Sequence, residues 1–413
     1  MGVFARFTHV GYDDSTMTSP VLSAAGRSRG MRDLLPDEMR AFRRVEDAFR
    51  SAATRWGYDE IRTPTIETYN LFTRAGTLTP QMLSHVYTFL DWDGWSGERV
   101  VLRPDSTIPV ARAAAQAGLP QPSRLFYVQN VFRFHENEDD REEWQCGIEY
   151  LGAPAVLGEL EVASIACETL LACGFEPGVR LSHVGVMQAV LEAANGAVPP
   201  GAFEHIAAEG PGAMRQYLID APAAAAFVEV ALHPAGGVAL LDNLSALATT
   251  AAPAAIPALA ELRGIAAALT DSGRSVTVDL SFTRGFEYYT GVVFDFVARG
   301  ESWGGGGRYK AAGVDSACGL GIEAERLAKA LAPASRRNQV VAVVPESDDD
   351  LGRALQVTRA LHRSGIAASL SSMTEAAITV VVAGDSLRAQ TPAGTTGMMT
   401  RLDDLVELLV QAK

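Results

Sequence analysis

A strand–loop–strand segment from Phe126 to Gly152 constrains the fold of this chain more than any other stretch. Its two ends have the length and apolar character of buried β-strands. The loop between them carries Arg133 and then six carboxylates against one further cation, Arg141. The paired strands are typical of a nucleotide-binding hairpin, whereas the loop has the wrong sign of charge to face phosphates. The six carboxylates are those of Glu136, Glu138, Asp139, Asp140, Glu142 and Glu143.

The composition limits the classes of function that the chain can have. Its 413 residues exceed one ordinary domain, so two or three domains are expected. The net charge of −14 disfavours a broad nucleic-acid-binding surface. No run approaches the ~18 consecutive apolar residues of a membrane-spanning helix. The cysteines have no metal-binding spacing, so we expect buried free thiols, no metal site and a cytoplasmic protein. They are Cys146, Cys167, Cys173 and Cys318.

Composition and periodicity divide the chain into regions. Residues 1–27 are small and polar, and we expect them to form a disordered N-terminal extension. Residues 28–331 carry a core of predicted helices and strands, which begins with an amphipathic helix over 36–56 and a strand over Tyr58–Thr65. An Ala-rich helical insertion interrupts this core at about 185–268. After a linker, residues 338–413 alternate strands and helices, which predicts a small α/β domain.

Four separated segments carry the residues with potential chemistry. Each has an ordinary structural interpretation when taken alone: an Arg-Pro-Asp turn, a tyrosine pair in a strand, or glycines that let backbones approach closely. Their order and spacing together are far more specific than any single segment. The segments are Gly57–Pro64, Leu102–Thr107, the Arg133 hairpin with Gln145 and Glu149, and Arg284–Gly291 followed by Trp303–Tyr309 and Gly319–Arg326.

In this order the segments resemble the histidyl-tRNA synthetase group of class II synthetases. Gly57–Pro64 is similar to motif 1, which lies at the dimer interface in that family. Phe132–Gly152 resembles motif 2 and Gly321–Leu327 resembles motif 3. The sequence RGFEYYTG from Arg284 resembles the histidine-specific signature, and GGGGRY from Gly304 resembles a second histidine signature. The resemblance implies an α+β fold in which helices flank a class II antiparallel sheet. It also implies a helical insertion, a C-terminal domain like a truncated anticodon-binding domain, and a homodimer through the motif 1 region.

The resemblance also implies a ligand pocket. A carboxylate and an amide suit the two nitrogens of an imidazole, and arginine forks suit carboxylate or phosphate. The positions that match histidine-binding residues of the family are Asp105, Thr107, Gln145, Glu149, Arg284, Tyr288 and Tyr289. Arg133 and Arg326 match positions that meet a nucleotide or another anion. Arg133 and Arg284 would be catalytic only in a ligase.

Several departures from the synthetase pattern point in one direction. Asp105 stands where the ligases carry Glu, and Lys310 stands where the second histidine signature has Asp. The motif 2 loop is short and acidic, whereas in the ligases it is longer and basic. Residues 338–413 have a net charge of −3 and no Phe, Tyr or Trp, although RNA recognition favours a basic face with stacking aromatics. Only Ser371–Ala377 remains where the anticodon-binding domain has a helix.

These departures favour a non-catalytic branch of the family, the regulatory subunits of ATP phosphoribosyltransferase. Members of that branch read Arg-Pro-Asp where the ligases read Arg-Pro-Glu, as this chain does at Arg103–Asp105. The resemblance implies histidine as ligand, a short catalytic phosphoribosyltransferase subunit as partner, and no cofactor. It implies a role in the first step of histidine biosynthesis, in which the regulatory subunit supports catalysis and feedback by histidine.

Two alternatives remain open at the level of sequence. The chain could be a histidine–tRNA ligase that uses ATP and Mg²⁺ to charge tRNA, which the retained Arg133, Arg284 and Arg326 favour. It could also be a class II paralogue that acts as an amino-acid sensor or scaffold with another partner. Histidine-dependent pyrophosphate exchange distinguishes the ligase, and recovery of a phosphoribosyltransferase in a pull-down distinguishes the regulatory subunit from the scaffold.

Overall fold

The structure is a computed structural model, and the chain folds as two compact units that meet in sequence at residues 332 and 333. The residues described are 28, 30–74, 85–92, 97–133, 141–232, 236–281, 289–311, 313–331, 340–371, 378–391, 394–395 and 398–411. The predicted N-terminal extension and the predicted linker lie outside the described residues. The α+β fold class predicted from the sequence is confirmed.

The first unit combines two sheets with surrounding helices. Its strands are β1 (Asp59–Glu60), β2 (Ile66–Thr68), β3 (Thr88–Trp92), β4 (Gly97–Leu102), β5 (Ser123–Phe132), β6 (Glu142–Leu151), β7 (Gly178–His183), β8 (Ser275–Val278), β9 (Tyr289–Ala298), β10 (Glu301–Ala311) and β11 (Val314–Glu323). Its helices are α1 (Pro36–Arg55), α2 (Tyr69–Arg74), α3 (Thr107–Ala117), α4 (Leu157–Ala172), α5 (Val184–Asn195), α6 (Ala202–Glu209), α7 (Pro222–Ala231), α8 (Val238–Ala251), α9 (Ile256–Asp271) and α10 (Ala324–Ala330), with 3₁₀ turns at Pro211–Leu218 and Pro253–Ala255.

The large sheet has the spatial order β1-β5-β6-β11-β10-β9-β7-β8. Neighbours from β5 through β7 run antiparallel, and the outer pairs β1–β5 and β7–β8 run parallel. The small sheet has the order β2-β4-β3 and is antiparallel. The broad antiparallel centre brings strands that are distant in sequence, such as β6 and β11, side by side.

Helix α1 shows how the sequence determines an element locally. Pro36 occupies its first turn, and the Glu38 carboxylate accepts a hydrogen bond of 3.0 Å from the Leu35 backbone N–H, which caps the helix. The chain leaves the helix through Gly57 at φ +79°, a conformation that glycine adopts without strain. The apolar stripe of α1 is buried, and the Phe49 ring meets the Phe126 ring of β5 edge-on at 5.9 Å.

The two faces of the large sheet have different coverings. One face packs against α1, α4 and the insertion helices in the main hydrophobic core, through residues such as Phe126, Ile148 and Leu320. The other face carries a smaller hydrophobic cluster, in which Val110 and Ala114 of α3 pack against neighbouring strands. The polar residues discussed below lie on this second face.

The predicted strand over Tyr58–Thr65 is wrong in extent, because only Asp59–Glu60 pairs with β5. The buried Arg103 guanidinium takes the carbonyl oxygens that a longer strand would use, at 2.8 Å from Thr63 O and 3.1 Å from Pro64 O. These two bonds come from Nη1, which also donates to Gln129 Oε1 at 3.0 Å, while Nε donates to Asn130 O and Nη2 to Asn130 Oδ1, both at 2.7 Å. Arg103 therefore ties the motif 1 segment to β5 in place of strand pairing.

The glycine run 304–307 lies inside β10, where no strand was predicted. A Cβ built on Gly304 would lie 2.3 Å from Gly321 O, and one on Gly306 would lie 2.0 Å from Gly319 O. On the other side, a Cβ on Gly307 would lie 2.5 Å from Val292 O. No L side chain fits between backbones this close, so the run permits close backbone approach and builds the sheet.

The second unit has a five-stranded sheet with the order β13-β12-β14-β15-β16. Its strands are β12 (Val341–Pro345), β13 (Ala368–Leu370), β14 (Thr379–Ala383), β15 (Ser386–Thr391) and β16 (Gly394–Thr395), and its helices are α11 (Leu351–Arg363) and α12 (Leu402–Gln411), with a 3₁₀ turn at Asp348–Asp350. β12 pairs in parallel with β13 and β14, as an alternating strand–helix pattern predicts. Most of Ser371–Ala377 lies outside the described residues. No described helix of either unit has the length and apolar character needed to cross a membrane.

Candidate functional site

The strand register aligns the candidate residues in rows across one face of the large sheet. One row runs from Leu125 through Glu149, Gly319 and Gly307 to Val293. The next row runs through Tyr127, Gly147, Gly321 and Gly305 to Asp295. A third places Gln129, Gln145 and Glu323 opposite one another. Because side chains alternate between faces along a strand, these rows all project to the same side.

Glycines form the floor of this face. A Cβ on Gly147 would lie 2.1 Å from the Tyr127 ring, and one on Gly319 would lie 2.3 Å from Glu149 Oε2. The side chains of Tyr127 and Glu149 therefore lie across the neighbouring glycines, parallel to the sheet. Above Gly321 the nearest atom to a built Cβ is Gln145 Oε1 at 3.9 Å, so the floor is open there.

Glu149 is the central group of the face. Its side chain is buried, and the Tyr309 hydroxyl donates a hydrogen bond to Oε2. The buried Oε1 accepts no hydrogen bond from a described residue. Burial raises the pKa of Glu149 to about 8, against the lowering effect of the Tyr309 bond, and the nearby Asp105 carboxylate raises it further. An acceptor of this kind favours a ligand that brings an N–H group, since an unmet buried acceptor is costly.

Asp105 and Thr107 come from the start of α3. The Ile108 N–H donates to Asp105 Oδ1 at 3.2 Å, which fixes this carboxyl at the helix N-terminus. Burial raises the pKa of Asp105, while the charge of Arg133 and backbone hydrogen bonds lower it. The Thr107 hydroxyl donates to Asp105 Oδ2 at 3.5 Å, and Thr107 also lowers the pKa of Glu149. Two carboxyl groups thus flank one hydroxyl.

Tyr127 completes this cluster. Its phenol is buried, and burial together with Glu149 and Asp105 raises its pKa well above the ordinary value. Thr107 acts in the opposite direction and lowers the pKa of Tyr127. The site cluster is defined as Asp105, Thr107, Tyr127, Glu149 and Tyr309. Its two carboxyl groups have the chemistry that suits a ligand with cationic or N–H donor groups.

Arg133 lies beside this cluster, as the sequence predicted. Its Nε donates to Pro104 O at 2.5 Å, and its charge lowers the pKa of Asp105. The Pro104 carbonyl belongs to the same turn as Asp105. Arg133 therefore both holds the turn and places a positive charge at the edge of the site cluster.

The other predicted site residues differ in their surroundings. Gln145 is half-buried in the third row, and Tyr289 pairs with Tyr309 in the β9–β10 ladder. Arg326 is exposed and lies 2.8 Å from Glu301 and 3.4 Å from Glu323 in ion pairs. Its guanidinium carbon lies 5.2 Å from the centre of the Trp303 ring.

Arg284 and Tyr288 lie outside the described residues, as does most of the acidic motif 2 loop. Their assignments to the histidine pocket stay predictions, as do those of the other site residues.

Two members of the site cluster, Tyr127 and Tyr309, were not among the predicted site residues. The signal for Tyr127 was present in the alternation of β5, which places it on the same face as Gln129. Tyr309 follows Arg308 in the glycine-rich segment, where the arginine is the more conspicuous residue. The structure turns Arg308 to the opposite face, where it pairs with the buried Glu159, its Nη2 lying 2.7 Å from Oε2.

Comparison with known proteins places this chain in a family. The family model described as Histidyl-tRNA synthetase matches residues 30–327. The chain belongs to the histidyl-tRNA synthetase family. An ATP phosphoribosyltransferase regulatory subunit of Dehalococcoides mccartyi strain BAV1 is 37% identical over 362 residues, with 83% of this chain and 87% of that protein covered. A histidine–tRNA ligase of Methanosphaerula palustris is 30% identical, with 83% and 84% covered.

A solved structure agrees with these relatives. It is described as an ATP phosphoribosyltransferase regulatory subunit/histidyl-tRNA synthetase from Bacillus halodurans, and it matches with a TM-score of 0.73 at 26% identity. The match covers 85% of this chain and 94% of that one. The predicted resemblance to the regulatory-subunit branch of the family is therefore confirmed.

Proposed function

We propose that this chain is the non-catalytic regulatory subunit of an ATP phosphoribosyltransferase. In this proposal it acts in the cytoplasm, assembles with a short catalytic subunit that needs it for activity, and transmits feedback by histidine in the first step of histidine biosynthesis. The 37% identity to relatives named as such regulatory subunits, against 30% to the ligase above, supports this choice of branch.

One contrast in the site supports the proposal. The carboxyl groups that would hold an amino acid lie together, whereas Arg326, which could bind a phosphate, is already in ion pairs with carboxylates. Glu149 offers an imidazole N–H a buried oxygen that accepts no hydrogen bond from the described residues, and Asp105 offers a carboxylate to an α-ammonium group. Arg326, in contrast, is held by Glu301 and Glu323. A site of this kind suits binding of histidine better than catalysis on ATP.

Coupling to the partner would follow from the difference in histidine affinity between two quaternary states. Histidine bound among acid groups on the sheet face would favour the state in which the catalytic subunit is inactive. We further propose a homodimer through the motif 1 region at Gly57–Pro64, which Arg103 fixes to the site-bearing strand β5. Light scattering of the isolated chain tests the dimer, and a monomeric mass at micromolar concentration would refute it.

The experiment that tests the proposal is reconstitution with a short catalytic subunit. Formation of phosphoribosyl-ATP should require this chain, and histidine should inhibit it. Glu149→Gln should retain activation and lose most of the inhibition, because an amide, unlike the carboxyl group, cannot ionise when it accepts the N–H of a bound imidazole. Glu176→Gln serves as the matched control, since that carboxyl is exposed and distant in sequence from the site cluster. Absence of activation by the unmodified chain would sink the proposal.

Histidine–tRNA ligase is the second candidate function, and one observation favours it. Arg133 lies beside Asp105, where an arginine could also meet the phosphate of an activated amino acid. The ligase would need ATP and Mg²⁺. Histidine-dependent exchange of pyrophosphate into ATP measures this activity directly, and exchange above background that disappears in Arg133→Ala would establish the ligase over the regulatory subunit.

A further inference from the structure

Gln129 is a buried polar residue that the assignment of the pocket does not use. It lies on β5, 2% exposed, directly opposite Gln145 and two residues beyond Tyr127. By alternation its side chain projects to the same face as the site cluster. Its position therefore adjoins the histidine pocket, in the third row of the sheet face.

Hydrogen bonds fix the orientation of the Gln129 amide. Its Oε1 accepts from the Thr63 backbone N–H at 2.9 Å and from Arg103 Nη1 at 3.0 Å, and the Thr63 hydroxyl lies at 3.2 Å. The first two partners can only donate, so the atom that faces them is the oxygen. The NH₂ group is thereby fixed as a donor on the other side of the amide.

Among the described residues this donor has no partner. Gln129 Nε2 is buried and makes no hydrogen bond to a described residue. A buried donor left unmet is unfavourable, and native proteins satisfy nearly all such groups. Glu149 Oε1 has the complementary deficit, a buried acceptor without a donor, on the neighbouring strand.

The face carries donor groups as well as carboxyl groups. Carboxyl groups of Asp105 and Glu149 gather around Thr107, and the ligand nitrogens belong there. Arg103 supports Gln129, and Arg133 lies four residues further along β5 and its extension. A zwitterionic amino acid with its nitrogens at the acid groups would place its carboxylate away from them, towards these donors.

We infer that Gln129 Nε2 donates to the carboxylate of the amino acid bound at this face and thereby selects amino acids over analogues that lack the carboxylate. This inference rests on the proposed histidine site. A donor held by Thr63 and Arg103 is preorganised, so the bond forms without ordering a flexible side chain. Gln129 is in this account a specificity-determining residue.

The test is Gln129→Glu in the full chain, with titration calorimetry of histidine and of histidinol, whose carboxylate is replaced by an alcohol. The substitution keeps an oxygen for Thr63 and Arg103 and replaces only the donor. Affinity for histidine should fall at least about tenfold, the effect of losing a hydrogen bond to a charged group. Affinity for histidinol should stay within about threefold, because an alcohol can donate to the new carboxylate.

The ratio of the affinities for histidine and histidinol shows whether Gln129 recognises the carboxylate. An equal change for both ligands, or no change for either, would overturn it while leaving the histidine site intact. Failure of the unmodified chain to bind either ligand would overturn the proposed function as well. If the Glu variant does not fold by circular dichroism, Gln129→Met, which is uncharged and of similar length, replaces it, with the same selective loss of histidine expected.

Discussion

Substituting Glu149 by Gln should change how the stability of this protein depends on pH. In the folded state Glu149 holds its proton up to a pKa of about 8, because burial disfavours the charged carboxylate. In the unfolded chain it ionises near the ordinary value of 4.5. Between these values the folded state binds the additional proton, so its contribution to stability falls as the pH rises from 4.5 through 8.

The magnitude follows from the two pKa values. The folded value lies about 3.5 above the ordinary one, and each unit corresponds to about 1.36 kcal/mol, so the full loss is on the order of 5 kcal/mol. Between pH 6 and pH 8 the free energy of unfolding should fall by roughly 2 kcal/mol from this group alone. A glutamine keeps the shape and cannot ionise, so the variant should lack this part of the decrease.

The assay is urea unfolding of both proteins at pH 6, 7 and 8, followed by tryptophan fluorescence, without ligand. The comparison of the two proteins cancels the titration of groups that they share. The unmodified protein should lose about 2 kcal/mol more than Glu149→Gln between pH 6 and 8, a difference that is well resolved by linear extrapolation. Parallel pH dependence in the two proteins would refute the assignment of a raised pKa to Glu149.

Two further substitutions test the construction of the site. Gly319→Ala places a Cβ 2.3 Å from Glu149 Oε2 and 2.8 Å from Ile148 O, so it should displace the Glu149 carboxyl group. Histidine binding, measured by calorimetry, should weaken at least about tenfold. The control Gly352→Ala should leave it unchanged, because a Cβ there meets nothing within 4 Å. Arg103→Lys keeps the charge but loses the planar fork, and should lower the free energy of unfolding by at least about 3 kcal/mol because buried acceptors on two segments lose their donors; a change below 1 kcal/mol in urea unfolding would contradict this.

Local sequence rules predicted the elements that depend on their own residues. The apolar stripe from Met39 to Ala53 and the stop at Gly57 define α1 within one residue of the predicted end. The motif order from Gly57 to Arg326 indicated the family, because many residues at fixed separations carry that signal. Strand alternation likewise indicates the faces of β5 and β6, since it depends only on position along the strand.

Other structural features depend on contacts between segments that are distant in sequence, so the residues around them could not predict them. Glycine weakens a strand by itself, so β10 was missed, although close backbones on both sides require glycine there. The predicted strand after Tyr58 was too long because Arg103, about 40 residues later, takes its carbonyl groups. Arg308 and Tyr309 are adjacent in sequence, yet only pairing with β9 and β11 decides that the tyrosine enters the site.

The sequence by itself determined which polar residues this protein carries on the sheet face, and the fold that brings them together. Only the tertiary structure decided their chemical state. Glu149 is an ordinary glutamate in the sequence. Burial and the nearby Asp105 carboxylate raise its pKa to about 8. The hydrogen bond that the hydroxyl of Tyr309 donates, from 160 residues away, acts against this rise. A pKa is set by the surroundings of a group in space, and these do not exist until the sheet has formed.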